Sequence, residues 1–356
     1  MIINSFLRKH KFFFKGKIKN SKRTFHYNII WFLILRKEDK IGIGECNPLL
    51  DNFSFKNLDR YEKELRYLSD RINIIKKKEF YYYHSYITYS SILFGLEQAF
   101  LGLENRYPIL YDSKFTNGEL GLSINSLIWL FSLFKVENEV KKIEKEIDRG
   151  FSFIKMKISP KLFPYQFLVL KKIKKKYPYI KIRVDANGSF KNSKEALYCI
   201  NKLYDISIVH SVEQPIESGN WKDLSKICKK SKLPIALDEE LVGINNLKLK
   251  KRLLDIISPK YIILKPSICG GFSGSKEWII EAYQRKIKWC MSSSLESKIG
   301  INAIAQWTVK MEEKYNTGVH GLNIGYFHND FYSPLHIKKG CIWYNPLKIW
   351  KFKNLI

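Results

Sequence analysis

Long hydrophobic runs are what this 356-residue chain most plainly lacks: the longest, at 29–35, is seven residues, against the ~20 a membrane-crossing helix needs. No membrane insertion is expected. The first residues, MIINSFLRKHKFFFKGK, break their apolar content with charge before a signal-peptide core could form, so mature cytosolic sequence is the expectation. Cysteine is sparse and scattered: of six, the nearest pair, Cys269 and Cys290, stands 21 positions apart. That spacing excludes a CxxC motif and a zinc ribbon and leaves reduced, mostly buried thiols. The seven histidines form no HExxH and no i, i+4 pair. Acidic residues are few beside basic ones, 34 against 62, for a net charge of +28. Such an excess can mark a nucleic-acid or membrane surface. Here the lysine runs at 76–78, 171–176 and 229–230 accompany no zinc-finger, RRM or KH signature, and Lys, Ile, Asn, Tyr and Phe are over-used together. Compositional drift explains that better, and no specific nucleic-acid partner is expected. The 45% hydrophobic content excludes a disordered chain.

What is present divides into two patterns. Up to about residue 115, strand-like sequence (TFHYNIIWFLIL, then a short GIGECNPLL) precedes two stretches with helical periodicity, 58–75 and 89–103. This reads as an α+β capping domain over 1–115. From about 120, short apolar runs alternate with amphipathic ones: 121–125, 153–158, 180–185, 207–213, 234–238, 261–265, 287–293 and a weaker 318–324. Eight strands separated by helices predict an α/β fold, a modified TIM-type (β/α) barrel over 116–335. No GxGxxG follows the first strand, which argues against an open dinucleotide-binding sheet. Residues 336–356 are expected to pack back on the cap.

The polar residues fall at the ends of those runs. Lys157, Asp185, Glu213, Asp238 and Lys265 follow one another at steps of 28, 28, 25 and 27 residues, about one βα unit each. All five are therefore expected on the carboxyl-end rim, where barrel enzymes keep their active sites. Taken singly, each acid could be a helix cap or a rim salt-bridge partner. Taken together, three carboxylates on adjacent strands would repel until one took up a proton or a cation settled among them. Oxygen-only ligands suit Mg²⁺, with Mn²⁺ as a substitute, rather than Zn²⁺. Lys157 and Lys265 come from opposite sides of that arc. Near a cation the neutral amine is favoured, so either could serve as a base for a proton beside a carboxylate. Lys155 shares the strand parity of Lys157 and is expected to help lower its proton affinity. Asn187 and Glu239 are candidates to support the metal ligands.

Six segments then match a family: KMK at 155–157, RVDANGSF at 183–190, VEQPIESGNW at 212–221, PIALDEEL at 234–241, YIILKPSICGGFSGS at 261–275 and SSLESKIGINAIAQW at 293–307. With GIGECNPL at 42–49 they resemble the o-succinylbenzoate synthases of the enolase superfamily, whose scheme of a lysine or histidine base with Mg²⁺ is established. The resemblance implies a small-molecule carboxylate substrate and a syn dehydration of 2-succinyl-6-hydroxy-2,4-cyclohexadiene-1-carboxylate, in menaquinone biosynthesis. It implies Lys157 as the acid–base residue, Lys265 as the electrostatic partner on the other face, and Ser292 and Ser293, with Lys155, as substrate-binding. Two other readings stay open: N-succinylamino acid racemase or dipeptide epimerase, and a basic nucleic-acid-binding protein on a decayed scaffold. The chain departs from the family at Lys298, expected to bring a further cation to the substrate rim. It departs also in the cap loop, where Ser21 to Arg23 align loosely with the family's closing motif, and in HGLNIGYFHND at 320–330. Gly270, Gly271 and Gly274 predict a tight turn rather than a phosphate cradle. His210, within a strand, is expected to be structural, and the aromatic cluster at 81–83 has no assignable chemistry.

Overall fold

β-Branched and aromatic residues dominate the first fifty positions, and they form three antiparallel strands, β1 (Asn4–Lys19), β2 (Thr24–Lys37) and β3 (Lys40–Cys46), in the order β1-β2-β3. The computed structural model describes residues 3–19, 24–49, 57–72, 86–129, 136–352 and 355; Ser21, Arg23 and the cluster at 81–83 lie outside them. Helices α1 (Leu58–Ile72) and α2 (Ser90–Asn105) cover one face of this sheet through Trp31, Leu33, Leu35, Tyr61, Leu65 and Leu96. The α2–β3 contact is backbone on backbone. A Cβ on Gly44 would stand 1.7 Å from the Gly95 carbonyl oxygen, and one on Gly42 would stand 1.8 Å from that of Ala99, so both positions exclude any side chain.

Seven parallel strands then curl into the barrel sheet: β5 (Ser126–Ile128), β6 (Phe153–Lys157), β7 (Lys181–Asp185), β8 (Val209–Glu213), β9 (Ile235–Leu237), β10 (Tyr261–Leu264) and β11 (Lys288–Met291). Helices α3 (Val136–Asp148), α4 (Phe163–Lys176), α5 (Ser193–Tyr204), α6 (Trp221–Lys230), α7 (Leu247–Ile257), α8 (Gly271–Gln284) and α9 (Lys298–Glu312) follow the strands in turn. Asn192, Asn220, Asn246 and Ser297 cap α5, α6, α7 and α9, each accepting first-turn N–H groups.

Two of the eight runs behave differently from expectation. The first barrel strand is 126–128, not 121–125. Leu122–Ser123 form β4, which pairs with the C-terminal hairpin β12 (Leu335–Lys338) and β13 (Cys341–Tyr344). That hairpin turns through Lys339 (φ 50°) and Gly340 (φ 68°), the two left-handed residues of a type I′ turn. The eighth run contributes bridges rather than a strand. His320 pairs with Ile124 and Gly321 with Ser292, both parallel, through bonds such as Gly321 N to Met291 O at 2.7 Å and Asn125 N to His320 O at 2.8 Å. Those two residues join the edges of the seven-stranded sheet. Near the end of the chain, Trp350, Phe352 and Leu355 pack in one cluster with Phe12, Phe14, Phe25 and Phe327.

Candidate active site

Alternation along β6 sends Ile154 and Met156 into the core and Lys155 and Lys157 into the barrel. The parallel register aligns Lys157 with Asp185 and Asp185 with Glu213. Asp238 and Lys265 each follow directly on a strand end, β9 and β10. Oxygens of Asp185, Glu213 and Asp238 all lie within 4.8 Å of one another, and all three residues are buried.

The lysines close on these acids. Lys155 Nζ stands 2.8 Å from Asp185 Oδ2 and 2.6 Å from Glu213 Oε1. Lys157 Nζ donates to Asp185 Oδ2 at 2.6 Å and Lys265 Nζ to Asp238 Oδ1 at 2.6 Å. Burial opposes charge on Asp185, Glu213, Asp238, Lys155 and Lys265. For Asp185 the ammonium groups of Lys155 and Lys157 more than offset it and hold the carboxyl far below its usual range. Lys265 does the same for Asp238. Glu213, pushed up by burial and then by the Asp185 charge, is held well above the usual carboxyl range. Lys155 stands as the positive neighbour that the sequence reading gave Lys157, and among these carboxylates Lys265 is held charged as well. Burial lowers Lys155, but Asp185, Glu213 and Asp238 more than reverse it, and Asp238 and Glu239 do likewise for Lys265. In this carboxylate nest both are held as ammonium.

The donor chemistry fits a hard divalent ion: three buried carboxylates, with no His or Cys in the cluster. Asn187, in the left-handed region at φ 47°, donates its N–H to Asp185 Oδ1 at 2.9 Å and its Nδ2 to Glu239 Oε1 at 2.9 Å. Asn187 Oδ1 and Glu239 Oε2 are buried acceptors without a hydrogen-bond partner, and both residues line the cavity. Buried acceptors in that state call for donors such as the hydration shell of a cation.

Three supporting residues escaped the sequence reading. Gln214 Oε1 accepts from the N–H groups of Asp238 and Glu240, both at 3.2 Å, and shapes the turn that presents Asp238. Gln166 ties down the exit of β6, donating to Lys157 O at 2.8 Å. Glu296, in the LES segment, accepts from Ser267 Oγ and Ser294 N, both at 2.5 Å, and joins the loops after β10 and β11. Gln214, directly after the end of β8, was the one with an available signal; Gln166 within α4 and Glu296 past β11 had none.

The cavity above the lysines is walled by Phe25, Leu49, Trp129, Ile268, Leu295 and Tyr326, with Asn125, Asn323 and Ser292 to Ser294 as neutral polar groups. Lys298 is not among the lining residues; its Nζ donates to Phe331 O at 2.9 Å, so it brings no cation to the substrate rim. The glycine-rich turn before α8 holds a carboxylate of the protein itself: Glu97 from α2 accepts from Ser273 N at 3.0 Å and from Phe272 N. His210 sits between the rings of Phe153 and Tyr261, at 5.3 and 5.4 Å, and burial lowers it to about 4.

Comparison with known proteins gives the family. The family described as enolase C-terminal domain-like matches residues 138–346. Over 260 residues the chain is 35% identical to an o-succinylbenzoate synthase of Desulfotalea psychrophila, covering 71% of this chain and 68% of that one. The crystal structure of MenC from Desulfotalea psychrophila superposes with a TM-score of 0.83 at 28% identity, over 96% of this chain and 100% of that one. A substrate-liganded L-Ala-D/L-Glu epimerase of Bacillus subtilis shares the fold alone, at a TM-score of 0.81 and 20% identity over 97% and 96% of the two chains. The chain belongs to the o-succinylbenzoate synthase family of the enolase superfamily.

Proposed function

We propose that this chain is an o-succinylbenzoate synthase, a Mg²⁺-dependent carbon–oxygen lyase that removes water from 2-succinyl-6-hydroxy-2,4-cyclohexadiene-1-carboxylate in menaquinone biosynthesis. Asp185, Glu213 and Asp238 would hold the Mg²⁺, supported by Asn187 and Glu239. Bound there, the ion supplies electrostatic stabilisation of the charge that develops on the substrate carboxylate. Lys157 takes the proton alpha to that carboxylate and returns it to the departing hydroxyl on the same face, so that water leaves and the ring becomes aromatic. Lys265, on the far side of the carboxylate arc, stays protonated and faces the other side of the ring as a counter-charge. Lys155 keeps Asp185 and Glu213 in place, and Ser292 and Ser293 offer hydroxyls to the succinyl arm. A cation bound to the three acids would compete with Lys155 and Lys157 for Asp185, which frees Lys157 to act as a base.

The observation that carries this reading over a dipeptide epimerase is the absence of any carboxylate among the described lining residues beyond Asp238 and Glu239. A dipeptide brings a free ammonium group that needs a counter-charge; the succinyl-cyclohexadiene carboxylate brings none. Lys157 and Lys265, two of the three lysines lining the cavity, also suit an N-succinylamino acid racemase, and that second reading makes a different prediction: Lys157→Ala and Lys265→Ala would each lose deuterium exchange of a different enantiomer.

No helix among the described residues is long and apolar enough to cross a membrane. In the lysine run of α4, Lys172 and Lys176 pair with Glu137 and Glu144 of α3; our reading is a cytoplasmic enzyme acting on a small carboxylate, with no specific nucleic-acid partner. The deciding assay follows ultraviolet absorbance of the cyclohexadiene with Mg²⁺ present. Conversion to o-succinylbenzoate, abolished by EDTA and by Lys157→Ala, is expected; turnover indifferent to EDTA overturns the proposal.

A further inference from the structure

Two residues of the cavity wall come from different layers of the molecule: Phe25 opens β2 in the cap, and Tyr326 follows the segment that closes the barrel. Strand β1 pairs with β2 as far as Phe13 with Tyr27 and resumes at Ile18 with Phe25. Between those points β1 takes the barrel segment as its partner instead. Lys15 N donates to Tyr326 O at 2.8 Å, His328 N donates to Phe13 O at 2.8 Å, and Phe14 forms an antiparallel bridge with Phe327. Asn329 extends the ladder with its side chain, Oδ1 accepting from Phe13 N at 3.0 Å and Nδ2 donating to Lys11 O at 2.8 Å. Because β1 is an edge of the cap sheet, this strip also covers backbone groups that an open edge would leave unpaired.

The other flank of the segment is tied to α9. Lys298 Nζ donates to Phe331 O at 2.9 Å, and Lys298 N donates to Asp330 Oδ1 at 3.1 Å. A lysine in the first turn of a helix stands at the unfavourable end of the helix dipole, so helix stability does not account for it. Its bond to the segment does. Between the two flanks, Phe327 and Phe331 place their rings 5.0 and 5.6 Å from that of Phe12 on β1.

We infer that Lys298 and Asn329 are positioning residues for substrate binding: they fasten segment 326–331 between α9 and β1 and so keep Tyr326 and Phe25 in register as parts of one pocket wall. The inference rests on the reading of this cavity as the substrate site. Neither residue touches the reacting atoms, so its loss acts on binding rather than on chemistry.

Lys298→Met and Asn329→Ala, each made in the full chain, separate this role from a merely structural one. With Mg²⁺ present, KM for the cyclohexadiene is expected to rise about tenfold while kcat stays within about twofold, the scale of one lost hydrogen bond to a charged group. Amide exchange at Lys15 and His328 quickens, Mg²⁺ affinity measured by calorimetry without substrate is unchanged, and Lys298→Arg restores both KM and slow exchange. Unchanged exchange in both variants overturns the fastening, and quickened exchange with an unchanged KM overturns the positioning role. A fall confined to kcat overturns it too. Should the wild-type chain not turn over the cyclohexadiene, the functional proposal fails by itself. Exchange and calorimetric binding of o-succinylbenzoate then decide the inference: a roughly tenfold weaker fit in Lys298→Met supports it and an equal fit overturns it. Asn329 is exposed, so its variant keeps the test alive if Lys298→Met does not fold.

Discussion

Two groups of buried carboxylates serve this molecule in opposite ways. At the barrel rim Asp185, Glu213 and Asp238 are matched by ammonium groups on Lys155, Lys157 and Lys265. At the seam between cap and barrel, Glu45 and Glu97 are equally buried but meet backbone donors. Glu45, from β3, accepts from Ser297 N at 2.9 Å, Ser297 Oγ at 2.5 Å and Gly300 N at 2.8 Å at the start of α9. Glu97, from α2, sits at the start of α8. Lysine heads on flexible stems can be exchanged for another cation; N–H groups fixed at a helix start cannot. The first arrangement is a site whose counter-charges can be replaced, the second a fastener. Helix starts attract negative charge, yet burial dominates there, and both carboxyls are pushed up, Glu97 to about 7.

The sharpest break of this comparison is Asp185→Asn. It leaves Lys155 and Lys157 buried with less charge than they need, and removing one member of a buried pair costs on the order of 3–5 kcal/mol. Denaturant unfolding in EDTA should show that loss, and Mg²⁺ should no longer raise the midpoint. A midpoint that still climbs with Mg²⁺ would place the ion elsewhere. Next in size is a pH effect at the seam. Glu97 is held at about 7 in the fold, chiefly by burial, and near 4.3 when unfolded. The folded chain therefore binds the proton more tightly. This contribution is fully present below about pH 4.3 and is lost as pH rises through about 7, a change of roughly 3 kcal/mol. Glu97→Gln, unfolded in EDTA at pH 5 and pH 8, should lose that much of the wild-type slope; parallel slopes would show that Glu97 does not titrate in this window. Smaller again is Glu45→Gln. One amide oxygen cannot take three donors, so about 1–3 kcal/mol of stability should go, with Mg²⁺ affinity untouched.

The same contrast explains what the sequence disclosed. Asp185, Glu213, Asp238, Lys157 and Lys265 were legible because the βα repeat spaces them evenly, and a repeat is a one-dimensional signal. Glu45 and Glu97 were not, since their role exists only once β3 and α2 dock against α9 and α8, more than 170 residues downstream. Partner choice was equally hidden in the first barrel strand. GLSIN is as strand-like as SLI, but Leu122 and Ser123 are claimed by β13, more than 200 residues away. The ion pairs of Lys155 and Lys265 were hidden for a related reason: strand parity shows that side chains share an interior, not that a carboxylate oxygen lies 2.6 Å from the amine. Lys298 was misjudged in direction, because its partner carbonyl belongs to a segment with no regular periodicity.

The smallest expected effect tests whether a neutral group can govern the ionic site. Gln214 is fully buried and carries no charge, and its backbone is left-handed at φ 34°. Its Oε1 receives the N–H groups of Asp238 and Glu240 while its Nε2 donates to Ile216 O at 3.0 Å, so the turn carrying Asp238 is built around it. Gln214→Ala removes the acceptor without altering any charge. If lysines and carboxylates alone set the site, Mg²⁺ affinity should be unchanged. If the turn sets where Asp238 stands, affinity should fall about tenfold, as it does when supporting partners of metal ligands are lost. Calorimetric Mg²⁺ titration of Gln214→Ala decides between them, and Gln214→Glu sharpens the answer. Glutamate can still accept from both N–H groups but adds a negative charge between Glu213 and Asp238. An affinity that recovers in Gln214→Glu would assign the effect to geometry, whereas one that falls further would assign it to charge balance.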